Sequence, residues 1–154
     1  MLEKLSQLFN PDAKAEPELD NRDERIRVAT CVLMLEVAQI DEEFTDDERD
    51  RILEILRQRY ALSESDAAEL MQAAQHKRDS SVDLWKFTNQ LNTLCGEAEK
   101  IQIVEEVWRV VAADGGIHGH ESHFMRQLSH LLNLAKPQVI EAKLKVLEEE
   151  RRTL

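Results

Sequence analysis

Glycine, proline, cysteine and aromatic residues are all scarce in this chain. Of 154 residues, 4 are Gly, 3 are Pro and 2 are Cys, and aromatic residues make up 5%. A β-rich protein with many turns needs more glycine and proline, so the composition argues against that class. Cys31 and Cys95 each lie within an apolar helical pattern. Such a pair is neither a disulfide framework nor a zinc knuckle, and we expect both to pack as small core residues.

Long apolar runs are also missing. A signal peptide needs about 7–15 consecutive apolar residues, and the polar N-terminus Met-Leu-Glu-Lys-Leu-Ser-Gln-Leu-Phe does not provide them. A membrane span needs about 20, but the longest apolar stretch, residues 28–40, is interrupted by Glu36 and Gln39. We therefore expect a soluble, cytoplasmic protein.

Residues 1–20 are expected to form a short helix and a linker that contains two prolines. The apolar residues of that helix, Leu2, Leu5, Leu8 and Phe9, fit one amphipathic face. Such a face can touch a membrane surface peripherally. Docking on the protein's own core is the preferred interpretation.

Positive charge is in deficit. The chain has 20 Lys and Arg against 31 Asp and Glu, a formal net charge of −11 at pH 7. Such a charge repels nucleic acids and anionic lipids, so we expect no nucleic-acid partner. Cations and a basic protein partner are the ligands that it favours.

Helical periodicity runs through residues 21–154, which we interpret as one domain. Apolar residues recur at a spacing of three or four residues, and no alternating segment predicts a strand. The predicted fold is all-α, a compact bundle of about seven to eight helices. Ser80 or Ser81 is expected to open the fourth of the helices after the linker. Trp85 and Trp108 are expected to pack in the core.

The chain contains an internal repeat. A shift of 73 residues aligns the helix that ends at Asp41 with the helix that ends at Asp114 and, without a gap, Glu48 with Glu121. The repeats cover about 21–77 and 97–150. Because each three-helix unit alone leaves an apolar face uncovered, we expect two pseudo-symmetric units that share one core. Glu36 and Arg109 align under the same shift. They are candidates to pair with each other, and a partly exposed position on the helix flank is an equal alternative for both.

Four repeated acids form the candidate site: Asp41, Glu48, Asp114 and Glu121. Each Asp follows an apolar helix, and each Glu comes seven residues later, at the start of the next helix. Converging carboxylates repel each other unless a proton or a cation lies between them. Calcium and magnesium prefer such oxygen ligands. The second copy adds His118, His120 and His123 as secondary candidates, which favour a softer metal such as zinc or nickel.

Helix capping explains part of the same pattern. Thr45-Asp-Asp-Glu48 is a capping box, and Gly115 with Gly116 suits a helix stop beside Asp114. Capping does not require an Asp at the matching upstream position in both copies, so the repeat keeps metal binding as an equal alternative. Solvated loop histidines are the simpler interpretation of His118, His120 and His123.

Catalytic motifs are absent from the sequence. His120-Glu-Ser-His123 is one residue short of the zinc-protease pattern, and the segment after Asp114 lacks the ligand positions of an EF-hand loop. There is no phosphate-binding glycine loop and no serine or cysteine in a nucleophile context. We expect a protein that is not an enzyme.

The chain resembles the TerB-like (tellurite-resistance protein B-like) family. The resemblance is carried by Val107-Trp-Arg-Val-Val-Ala-Ala-Asp-Gly115, by Glu121 and by Leu131-Leu-Asn-Leu134. The first unit and the segment Trp85–Asn92 fit as well, so the resemblance covers about residues 22–150. It implies a bacterial, intracellular, all-helical bundle with an acidic metal site at Asp41, Glu48, Asp114 and Glu121, and a link to tellurite resistance or stress response.

Two functions follow as leading hypotheses, and a hydrolase that uses paired carboxylates is the third and weakest. The first is a cytoplasmic module that binds a divalent cation (calcium, magnesium or zinc) through the four acids. The alternative is a non-enzymatic acidic interaction scaffold, in which residues 41–50 dock a basic protein partner and no metal is required.

Overall fold

The computed structural model describes residues 19–40, 44–80, 83–112 and 119–152. These segments contain seven helices and no strand, which confirms the all-α prediction. The helices are α1 (Leu19–Ala38), α2 (Asp46–Tyr60), α3 (Glu64–Ser80), α4 (Leu84–Leu94), α5 (Glu97–Ala112), α6 (Gly119–Leu131) and α7 (Lys136–Arg152). The short N-terminal helix predicted from Leu2, Leu5, Leu8 and Phe9 lies outside the described residues.

Helix α1 lies at the centre of the bundle. It packs against α3, α4 and α5. Its middle is buried on nearly every side, and the side chains from Cys31 to Leu35 are at most 1% exposed. A helix that is apolar all round must be enclosed by other elements, and this one organises the core.

The two halves of the chain show the same pattern of helix packing. The first helix of each half packs most extensively on the third, so α1 lies on α3 and α5 lies on α7. The contact between α1 and α5 joins the halves. One apolar core therefore runs through both, while an exact pseudo-symmetric repeat stays a prediction.

Polar side chains cap the N-termini of several helices. Thr45 accepts a hydrogen bond from the backbone N–H of Glu48 at 3.1 Å, and Ser63 accepts one from Asp66 at 3.1 Å. The expectation that Ser80 or Ser81 opens α4 is wrong, because Asp83 is its N-cap and accepts from the Trp85 N–H at 3.0 Å. An ionised carboxylate is a strong acceptor for this position.

Three core predictions have different outcomes. Cys31 and Cys95 are buried free thiols, as expected, and burial raises the pKa of Cys31 to about 12. Trp108 is also buried. The core assignment of Trp85 is wrong, since this side chain is 56% exposed. It lies in the first turn of α4, and the buried face of that helix is formed by Phe87, Thr88 and Leu91.

None of the helices in the described segments combines the length and the apolar character that crossing a bilayer requires.

The C-cap of α2 generates a stability prediction. Ala61 has φ 52°, in the left-handed region, and its N–H donates to the Arg57 carbonyl. An L-residue with a Cβ is strained there, whereas glycine is not. Ala61→Gly should therefore raise the free energy of unfolding by about 0.5–1 kcal/mol, after the greater entropy of glycine in the unfolded chain is counted. Urea unfolding measures the change.

The matched control is Ala98→Gly, an exposed alanine within α5. There the same substitution should lower stability by up to about 1 kcal/mol, because glycine is a poor helix former. A loss of stability in both variants would contradict a left-handed cap at Ala61.

Candidate functional site

Two of the four predicted acids are buried at the starts of helices. Glu48 is 8% exposed in the first turn of α2, and Glu121 is 3% exposed in the first turn of α6. The other acids in the first turn of α2, Asp46 and Asp47, are exposed. Of these three consecutive acids, the one that the sequence repeat aligns with Glu121 is therefore the buried one, Glu48.

Thr45 holds Glu48 at the helix start. In addition to accepting the Glu48 N–H, its hydroxyl donates to Glu48 Oε1 at 3.1 Å. The helix dipole also stabilises negative charge at this end. The capping role expected of Thr45 is thus confirmed, and it orients the same carboxylate that we predict as a metal ligand.

The remaining candidate ligands are described only in part. Asp41, Asp114 and His118 lie outside the described residues, as does the side chain of His120, while His123 is exposed on α6. In the segments that the structure describes, no three His, Cys, Asp or Glu side chains are grouped so as to hold a metal ion. Convergence of the four acids stays a prediction.

A charged cleft that sequence reasoning missed lies between α2, α5 and α7. Its volume is about 550 Å³. We call it the charged cleft. The charged residues that line it are Arg51, Glu54, Arg59, Glu106, Arg109, Glu149 and Glu150. Positive and negative side chains alternate across it, so the arrangement is suited to holding helices together.

Two ion pairs of the charged cleft connect the halves of the protein. Arg51 Nη2 lies 2.6 Å from Glu150 Oε1, and Arg59 Nη1 lies 3.6 Å from Glu106 Oε1. Both arginines are on α2, whereas the acids are on α7 and α5. Because Glu106 and Arg59 are only 12% and 17% exposed, solvent screens this pair less than a surface pair.

Arg109 makes the most extensive set of ion pairs in the charged cleft. Its Nε and Nη2 donate to the two carboxylate oxygens of Glu149, each at 3.0 Å, and Nη1 donates to Glu106. The candidate pairing of Arg109 with Glu36 is wrong, because Glu36 instead accepts from Arg78 Nε at 2.6 Å. The alternative is confirmed, since both side chains are partly exposed. Each of these two aligned residues pairs with the third helix of its own half.

Burial and pairing compete in the pKa values of this cluster. Desolvation raises the pKa of Glu106, and the positive charges of Arg109 and Arg59 only partly oppose it. Desolvation also works against the charge of Arg109, but Glu106 and Glu149 outweigh it and raise the pKa of that guanidinium. Keeping Glu106 ionised in the folded protein therefore costs free energy, which its ion pairs with Arg109 and Arg59 offset only in part.

Comparison with known proteins gives one match. A family model described as "Tellurite resistance protein TerB" matches residues 27–144, which is most of the described bundle. No curated protein and no solved structure matches the chain.

The raised pKa of Glu106 predicts a pH dependence of stability. Because desolvation raises the pKa above its ordinary value of 4.5, the folded protein holds a proton at Glu106 more tightly than the unfolded chain does. The wild type should therefore lose stability relative to Glu106→Gln as the pH rises from 4.5 through the raised pKa, and the difference should then stay constant. Urea unfolding at a series of pH values measures it.

The control is Glu54→Gln, whose wild-type side chain lines the same cleft but is 56% exposed. The difference in free energy of unfolding between this variant and the wild type should not show the same change with pH. If the wild type instead gained stability relative to Glu106→Gln over this range, pairing with Arg59 and Arg109 would outweigh desolvation, and the assignment would be wrong.

Proposed function

Because this chain belongs to the tellurite resistance protein TerB family, we propose that it is a cytoplasmic, divalent cation-binding module associated with tellurite resistance. Asp41, Glu48, Asp114 and Glu121 supply the carboxylate ligands. The module performs no catalysis of its own, and cation binding tightens the two helix–loop–helix corners that carry the acids.

The observation that carries this proposal is the matched burial of Glu48 and Glu121. A helix start needs no buried acid, as exposed Asp46 and Asp47 show for α2. Removing a carboxylate from water is costly, and hydrogen bonds or a nearby cation offset the cost. Burial at both aligned positions therefore supports a role beyond stabilising the helix dipole, which exposed acids such as Asp46 and Asp47 also do.

The donor set favours a hard cation. Four carboxylates suit calcium or magnesium, and His118, His120 and His123 are secondary ligands through which zinc could enter. We rank calcium and magnesium first because the acids recur in both copies, whereas the histidines occur in the second copy only.

The acidic interaction scaffold is retained as a second candidate on a separate observation. Asp46, Asp47 and Asp50 are exposed side by side on α2, where they present negative charge to a basic protein partner. Such docking would need no metal, and added salt would weaken it.

Thermal unfolding in the presence of metal tests the cation-binding proposal. Calcium, magnesium or zinc at about a hundredfold excess over Kd stabilises a protein by about 2.7 kcal/mol, which corresponds to a rise in Tm of about 5–10 °C at this chain length. Elemental analysis of protein purified without chelator or nickel resin should find the same metal bound.

Three variants should abolish the rise in Tm, because each removes a ligand charge with little change in shape: Asp114→Asn, Glu48→Gln and Glu121→Gln. Asp47→Asn is the matched control and should keep the full rise, since Asp47 is exposed beside Glu48. A wild type whose Tm responds to no divalent cation, and that instead associates with a basic partner in a salt-sensitive way, would favour the scaffold.

A further inference from the structure

A second cleft, different in character from the charged cleft, lies where α6 and α7 pack beside α5. Its volume is about 280 Å³. Its apolar lining comes from Trp108, Met125, Val139 and Ile140. Three of these side chains are buried, whereas Ile140 is 45% exposed. The cleft is therefore an apolar concavity that opens to solvent beside Ile140.

The charged side chains that line this cleft are positive. They are Arg126, Lys136 and Lys143, and none of the described residues that line it is an acid. In a chain with 31 acids and 20 basic residues, three cations without an acid form a local reversal of charge. The ammonium of Lys143 lies 5.5 Å from the centre of the Trp108 ring, within the range of a cation–π contact. That contact places positive charge directly beside the apolar surface.

An exposed apolar stripe extends from the cleft along α7. Ile140, Leu144 and Leu147 are 45%, 59% and 38% exposed. Their spacing puts them on one face of the helix, over about 10 Å, and Lys136 and Lys143 fall on the same face. The other side of α7 is already buried in the core through Ala142 and Val146, and Val139 lies at the border between this side and the cleft. The cleft and the stripe together are called the α7 docking face.

We propose that the α7 docking face binds an acidic amphipathic helix of a partner protein. An apolar side chain of that helix enters the cleft beside Trp108, and further apolar side chains one and two turns along cover Leu144 and Leu147. Acidic residues that flank this apolar stripe pair with Arg126, Lys136 and Lys143. Helix-in-groove recognition uses this spacing of anchors, and flanking charges give it specificity. The proposal does not rest on cation binding.

Charge and shape favour this occupant over two others. A second copy of the chain, docked through the same face, would bring the three cations of each copy together. A membrane surface does not fill a concave cleft, and the net charge of −11 opposes approach to anionic lipid. An acidic amphipathic helix can fill the concave cleft with an apolar side chain and pair its acids with the basic residues that line the cleft.

A peptide selection tests the proposal with the full chain. The probe is a phage-displayed library of helical peptides about 18 residues long, roughly 27 Å, selected on immobilised wild type in the presence of a chelator. Recovered peptides should have apolar residues at helical spacing, flanked by Asp or Glu. The fluorescein-labelled form of the best peptide then gives Kd by fluorescence polarisation, and added salt should weaken the binding.

Two substitutions should weaken this peptide at least about tenfold, or about 1.4 kcal/mol: Ile140→Glu in the apolar stripe and Lys143→Glu beside Trp108. Both change side chains that are at least partly exposed, so the fold should tolerate them. Arg49→Glu, the same charge reversal at an exposed position on α2, should leave Kd unchanged. In a Trp85→Phe background, peptide binding should alter the fluorescence of Trp108.

Four outcomes would overturn the proposal. They are recovery of no peptide that depends on Ile140, recovery of basic peptides, Ile140-dependent binding to phosphatidylglycerol vesicles, and a wild-type dimer that Ile140→Glu converts to monomer in sedimentation. The last two would assign the α7 docking face to a membrane or to a second copy.

Discussion

Enclosure of α1 is the constraint on which the rest of the structure depends. Residues Cys31–Leu35 are almost inaccessible to solvent, so α3, α4 and α5 must all pack around this helix. Neither half can bury it alone, and the two halves consequently share one core. The charged residues of the surrounding helices are left at the edges of that core, where the charged cleft ties α2 to α5 and α7. The ion pairs of the charged cleft depend on the apolar core. Bringing their charges out of water costs free energy, and the burial of apolar side chains in the core offsets that cost.

The same arrangement separates three kinds of charged surface. Glu48 and Glu121 are withdrawn from solvent at the starts of α2 and α6. The charged cleft contains acids and bases that neutralise each other. In the α7 docking face, the described charged residues that line the apolar cleft are all positive. A chain with a large negative net charge thus has two buried acids at separate helix starts, an internally paired cluster that joins helices, and an apolar cleft lined by basic residues.

The spacing of apolar residues along the chain predicted the helices. The sequence did not reveal which charged residues form ion pairs between helices. Apolar periodicity located α2 because its spacing is local, and the repeat identified Glu48 and Glu121, which are both buried. Periodicity misplaced Trp85, since an aromatic residue at an apolar position can lie on the solvent side of a short helix. The pairing of Glu36 with Arg109 was wrong, and the charged cleft was missed, because ion pairs depend on which helices become neighbours in the folded bundle.

The central functional claim is that the two repeated corners bring carboxylates to one cation, and anomalous diffraction from crystals soaked in manganese, a hard cation that accepts oxygen ligands, tests it most directly. If one cation binds at both corners, the map should contain one strong anomalous peak bonded to oxygens of both Glu48 and Glu121, at roughly 2.0–2.6 Å as expected for hard divalent cations. Well-ordered carboxylates of Glu48 and Glu121 too far apart to share an ion, with no peak between them, would contradict it.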